Sequence, residues 1–212
     1  LKSGISNSVK REESLNALTH GLGALLSLVA LVYGIGWSTH TPWSSGWTGE
    51  LVFAASLLLL YSASTVYHAV HHEKWKKRLR VIDHMSIYVL IAGTYTPFLT
   101  SAIPGQLGTI MLWVIWGIAI SGILFKATLG FKFPKISLAF YIAMGWMVVF
   151  IYDSFVAHVP GQSVVLVGLG GIFYTGGTLF FVSKKVPYAH AWWHLCVLGG
   201  SACHYAAVTG LA

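Results

Sequence analysis

Apolar positions in this chain gather into seven long runs, with polar residues confined to short blocks between them. By their periodicity and composition the runs cover about residues 16–37, 49–71, 80–101, 107–126, 135–157, 163–183 and 189–211. An α-helix needs about 20 apolar residues to cross the hydrocarbon core of a bilayer, and each run is close to that length. The breaks are Thr41-Pro42, His71 to Leu79, Pro104-Gly105, Phe131 to Pro134, Pro160-Gly161 and Lys184 to Pro187, which are turn-forming or charged segments. The pattern predicts an all-α protein, a seven-transmembrane-helix bundle forming a single domain over residues 1–212, with no repeat or linker.

The polar blocks carry a second pattern. Lys2, Lys10 and Arg11 precede the first run, and Lys74, Lys76, Lys77, Arg78 and Arg80 follow the second. Lys126, Lys132 and Lys135 follow the fourth, and Lys184 and Lys185 follow the sixth. These are all 13 Lys and Arg of the chain, so basic residues fall only in alternate connections. Because basic loops stay on the cytoplasmic side, the N-terminus is predicted to be cytoplasmic and the C-terminus extracytoplasmic. Six or eight spans would break the alternation. Trp37, Trp43 and Trp47 are expected at the outer interface, where amphipathic rings settle. The first run follows Lys10-Arg11, yet Gly21 to Trp37 is long and no small-x-small site follows it, so an uncleaved first span is expected.

Composition agrees with a lipid environment. Hydrophobic residues make up 56% of the chain and charged residues 9%, against about a quarter charged in soluble domains. In a soluble protein a net charge of +7 would suggest nucleic acid. Here it follows from the basic loops, so the expected partners are membrane lipids and no nucleic acid. Cys196 and Cys203 lie seven apart on one helix, hence about 10 Å apart, beyond disulfide reach; both are expected as free, buried thiols. Pro97 is expected to kink the third span, and Gly168, Gly170, Gly171, Gly176 and Gly177 to permit close helix contact in the sixth.

Ionisable residues in spans are costly and therefore mark candidate chemistry. With sides assigned to helix ends, His68 falls at the cytoplasmic end of span two, and Ser64 lies one turn deeper on the same face. Asp83 opens span three, and His190 and His194 form an i, i+4 pair at the start of span seven. Two imidazoles at that spacing face one way and can share a metal ion, and a third His from another helix completes the three-ligand set of catalytic zinc. Asp83 then suits the role of general base, and Ser64 that of a hydrogen-bond donor to a carbonyl or oxyanion. Each residue also has a plainer reading. The histidines can sit at the interface with wet tips, Asp83 can cap span three, and Ser64 can bond its own i−4 carbonyl. His71 and His72 are expected to be solvated in the basic loop. His20, with Glu13 and Asn16, starts span one on the same side and either lines the same cavity behind the ligands or makes interhelical hydrogen bonds. His204 lies about 15 Å beyond His194 and is expected to make a buried polar contact elsewhere.

The segments Glu12-Glu13-x-x-Asn16-x-x-Thr19-His20-Gly21, Ser64-x-x-x-His68, Asp83-His84, Gly93-Thr94-Tyr95-Thr96-Pro97 and His190-x-x-x-His194 occur in this order. They resemble those of the bacterial hemolysin III branch of the progestin and adipoQ receptor family, within a wider group that includes alkaline ceramidases. The resemblance covers nearly the whole chain. It implies a seven-helix fold in a bacterial inner (plasma) membrane, with Zn2+ near the cytoplasmic face on His68, His190 and His194, and with Ser64 and Asp83 in the site. It transfers the site more directly than the activity.

The expected function is a zinc-dependent hydrolase of a lipid amide or ester in the inner leaflet, serving membrane-lipid homeostasis. One alternative is a non-enzymatic receptor or membrane-state sensor in which zinc pins spans two and seven together. It would require Asp83 or Cys196 to fill the fourth metal position, and Cys196, two residues from His194, points roughly the opposite way. Another is a pore-forming cytolysin, which needs a polar path across the membrane that the sequence lacks. Substrate and oligomeric state are not assigned by the sequence.

Overall fold

The computed structural model describes residues 7–38 and 45–211, excepting the side chains of residues 37, 38 and 45–47. The tryptophan cluster of Trp37, Trp43 and Trp47 and the Thr41-Pro42 break therefore lie outside the described residues. Among those described there is no strand. The helices are α1 (Asn7–Ser38), α2 (Ser45–Ala69), α3 (Glu73–Ser101), α4 (Gly105–Thr128), α5 (Pro134–Gly145), α6 (Tyr152–His158), α7 (Gly161–Val182) and α8 (Ala189–Thr209). α1 packs on α2, α2 on α3, α3 on α4 and α7 on α8, and α8 returns to contact α1 and α3.

Among the described residues, five segments are long and apolar enough to cross a membrane: Asn7–Gly36, Thr48–Ala69, Gly105–Thr128, Pro134–His158 and Gly161–Val182. α3 and α8 fall short in composition rather than length. α3 opens with Glu73, four basic residues before Arg80, and then Asp83; α8 carries His190, His194 and His204. The burial pattern is inverted relative to a soluble bundle. Leu18, Trp113 and Phe150 are 70%, 75% and 82% exposed, while Asn16, His20, Ser64, His68 and His194 are buried. Large apolar side chains turn outward because lipid accepts them, and polar ones turn inward because lipid does not.

Three helices differ from the hydropathy runs in ways that matter for function. α1 begins at Asn7 rather than near residue 16, because its polar first turns continue the helix into the aqueous boundary. That extension places Glu12, Glu13 and Asn16 on one rigid rod. α3 begins at Glu73, so Asp83 lies well inside the helix and does not cap it, against one of the plainer readings of that residue. The fifth run is not a continuous helix. After Gly145 it passes through a 3-10 segment, Met147–Ile151, before resuming as α6. Tyr95 of α3 explains the break: its hydroxyl donates to the Gly145 carbonyl (2.7 Å) and accepts from the Val148 amide (3.0 Å). Backbone groups freed from a helix within a membrane need such partners.

Small residues set the closest approaches. A Cβ at Gly93 would lie 2.3 Å from Ser56 Oγ, and one at Gly49 would lie 2.6 Å from Pro97 Cα, so α2 and α3 meet nearly backbone to backbone. Pro97 lies inside α3 against that contact. In α7, Gly170 and Gly177 are contact positions, against His204 and Cys196 respectively, whereas Gly168 and Gly176 face open space. Both cysteines are free, as expected, but only half-buried, because α8 leaves part of its surface uncovered.

Candidate metal centre

The site is built where the N-terminal turns of α1 and α8 meet the end of α2. Tyr188, the residue before α8, takes a left-handed conformation (φ 54°) unusual for a residue with a Cβ. It turns the chain sharply into the helix, whose first two turns carry His190 and His194 on one face. α2 delivers His68 in its last turn. Each of the three histidines offers a ring nitrogen within 4.8 Å of the others. Their ring centroids are 4.7 Å apart for His190 and His194, 5.0 Å for His68 and His194, and 5.1 Å for His68 and His190.

α1 sets which nitrogen faces inward. His68 Nδ1 donates to Glu13 Oε2 (3.3 Å), and the Asn16 amide lies 3.5 Å from the same nitrogen. Lys76, from the start of α3, donates in turn to Glu13 Oε2. His194 Nδ1 is shared between the Asn16 carbonyl (3.2 Å) and Thr19 Oγ1 (3.3 Å). The amide of His190 donates to Glu12 Oε1 (3.3 Å), which ties the start of α8 to α1. With Nδ1 engaged, His68 and His194 present Nε2, and His68 Nε2 is buried with no partner among the described residues. A histidine whose other ring N–H is held by a carboxylate or carbonyl is the usual metal-ligating arrangement. The residues present therefore fit a metal ion.

His20 is the unexpected element. Its ring lies parallel to that of His194, with centroids 3.4 Å apart and 8° between planes, and meets Tyr61 edge-on at 5.0 Å. Neither of its ring nitrogens has a hydrogen-bond partner among the described residues, and the ring lines the same cavity as His190 and His194.

Asp83 and Ser64 stand beside the histidines, both buried. His84 Nδ1 lies 3.1 Å from Asp83 Oδ2 without hydrogen-bond geometry, and the His84 carbonyl accepts from the Tyr141 hydroxyl at 2.9 Å. His20, Ser64, Asp83, His190 and His194 share a cavity of about 150 Å³ that continues along the bundle to His204. Most of its wall is apolar, with Leu60, Ile87, Leu90, Leu138, Ile142 and Trp193 among the lining residues. His204 bonds the Val167 carbonyl (3.2 Å), so it makes the separate buried polar contact expected of it. His71 and His72 are exposed, and Cys196 packs toward Gly177 of α7.

Sequence reasoning left Thr19, Lys76, His84 and Tyr95 without roles. Thr19, His84 and Tyr95 stand inside quoted motifs, which was the available signal. Lys76 was counted only as a loop charge.

Residues 8–205 match the family described as Haemolysin-III related. The Hemolysin-3 homolog of Bacillus subtilis (strain 168) is 44% identical over 197 residues, covering 92% of each chain. Hemolysin-3 of Bacillus cereus is 43% identical over 192 residues, covering 91% of this chain and 88% of that protein. The Monocyte to macrophage differentiation factor of Homo sapiens is 31% identical over 211 residues, covering 93% of this chain and 83% of that protein. With its apolar helices and its cluster of three histidines able to hold a metal ion, the chain belongs to the haemolysin-III-related branch of the progestin and adipoQ receptor family, as a multi-pass membrane protein.

Proposed function

We propose that this protein is a zinc-dependent hydrolase of a lipid amide or ester, acting at the cytoplasmic leaflet of the bacterial inner membrane. In this reading all seven runs cross the bilayer, with the N-terminus cytoplasmic, and α3 and α8 are admitted as spans because Asp83, Ser86, His194 and Ser201 are buried in the bundle, while the exposed charges of α3 are confined to its first turns. The single observation that carries the proposal is the three-histidine cluster, two members of which, His190 and His194, line an apolar cavity together with the buried Asp83 and Ser64.

His68, His190 and His194 would hold the ion. Zinc bound there supplies a Lewis acid that polarises a carbonyl and makes water a nucleophile near neutral pH. The chain's own residues do the rest. The apolar walls take up an acyl chain and keep bulk water from it. Asp83 accepts a proton at its carboxylate from the attacking water and returns it to the departing amine or alcohol. Ser64 donates its hydroxyl to the carbonyl oxygen as negative charge builds there. The Asp83 carboxylate is not in the cluster and Cys196 faces α7, so among the described residues no fourth protein ligand is offered. That supports a working site over a purely structural metal. The cytolysin reading rests only on the names of relatives.

The test is turnover of short-chain ceramides and lipid esters by purified protein in detergent. Activity lost on chelation and restored by zinc is the expected result, with Asp83→Asn inactive but still metal-bound. Undiminished turnover by His194→Ala sinks the proposal.

A further inference from the structure

Away from the three-histidine cluster, one buried cation forms no ion pair among the described residues. Lys126, in the last turn of α4, is 3% exposed, yet its ammonium makes a single hydrogen bond, to Ser137 Oγ at 3.5 Å. An ammonium carries three donors, and burying a charge without a partner is costly. The C-terminal carbonyls of α4 offset part of that charge, but Nζ donates to none of them. Glycine at position 130 is what admits the lysine stem, since a Cβ there would lie 2.6 Å from Lys126 Cδ.

A second cation converges on the same place. Lys126 Nζ stands 4.3 Å from the centroid of the Phe131 ring, and the Arg80 guanidinium stands 4.8 Å from that same centroid. Neither cation forms an ion pair with a carboxylate among the described residues. Each attracts the ring's π-face, and the two like charges repel each other, a repulsion that the nearby Asp83 carboxylate, which pairs with neither, offsets only in part. His84, which lines the cavity, packs against the same ring with centroids 5.4 Å apart. The cationic pair thus lies beside the cavity at the boundary end of α4.

We propose that Arg80 and Lys126, both held against the Phe131 ring, form a binding site for a phosphate group. A phosphate has enough oxygens to engage an arginine fork and an ammonium at once. At a helix end near the membrane boundary it is also the anion that phospholipid headgroups present. The proposal goes beyond the hydrolase reading and does not depend on it, since the site holds an anion whether or not the cavity turns anything over.

The test is thermal melting of the full chain in detergent, after chelation so that no metal can bind the probe. Dihexanoyl phosphatidylglycerol, dihexanoylglycerol and inorganic phosphate are titrated separately. Phosphatidylglycerol should raise the melting midpoint saturably and the phosphate-free dihexanoylglycerol should not. Lys126→Met and Arg80→Gln should each weaken the apparent affinity roughly ten-fold, while Lys184→Gln/Lys185→Gln should not. Inorganic phosphate acting over the same concentrations identifies the ligand as free phosphate, and inorganic phosphate without effect identifies it as a lipid headgroup. Equal stabilisation by the two lipids overturns the proposal, as does either variant binding like the wild type. Should Lys126→Met fail to fold, Arg80→Gln, at an exposed position, decides alone.

Discussion

The ring of His20 lies flat on the ring of His194, 3.4 Å between centroids, without a hydrogen bond to either of its own nitrogens. A buried histidine with both nitrogens idle contributes shape. It packs face to face on His194 and holds that ring's plane. His20→Ala should therefore lower metal affinity by roughly ten-fold, as loss of supporting contacts around metal ligands does. His20→Phe, which keeps a flat ring, should retain most of it. Competition titration with a chromogenic chelator measures both, and equal losses in the two variants would show that the nitrogens matter after all.

Metal content should follow the three ligands together. His68→Ala and the double variant His190→Ala/His194→Ala should each lose zinc relative to wild type, as measured by plasma emission spectrometry. Chelation should lower the wild-type melting midpoint, because ion binding favours the folded state. The double variant should melt at one temperature with or without zinc.

Glu13 holds His68 while also pairing with Lys76. Glu13→Gln should weaken metal binding by about 10–100-fold through His68. The accompanying loss of stability should be small, about 0–1 kcal/mol, because both partners in the lysine pair are partly exposed. A stability loss without any change in metal affinity would contradict the assigned role.

The break in the fifth span depends on one hydroxyl. Tyr95→Phe removes the partner of both the Gly145 carbonyl and the Val148 amide, and should cost about 1–3 kcal/mol. Hydrogen exchange should quicken over residues 145–151 and leave α1 and α2 unchanged.

The glycines of α7 should divide by contact. A Cβ at Gly170 would lie 2.3 Å from His204 Cδ2, so Gly170→Ala should displace the ring from Val167 and cost about 1–3 kcal/mol. Gly168→Ala and Gly176→Ala face open space and should be neutral or mildly stabilising, given alanine's higher helix propensity. Melting midpoints of the three variants separate the cases.

Helices and the basic pattern at their ends were legible in the chain because both are local properties: run length, turn residues and loop charge. His190 and His194 were legible as a pair for the same reason, since one helix places i and i+4 together. Motif spacing also pointed to His68, Ser64 and Asp83. Hydropathy could not show how each helix is rotated about its axis. In lipid, apolar residues cover the outside as readily as the inside, so an apolar run carries no marked inner face. Packing alone brought His68 to the other two histidines, laid His20 on His194, and turned Glu13 and Asn16 toward the site. It also broke the fifth run at Tyr95 and left Lys126 buried beside Arg80. Those relationships join residues far apart in the chain, and each depends on side chains meeting across helices, which local sequence does not encode.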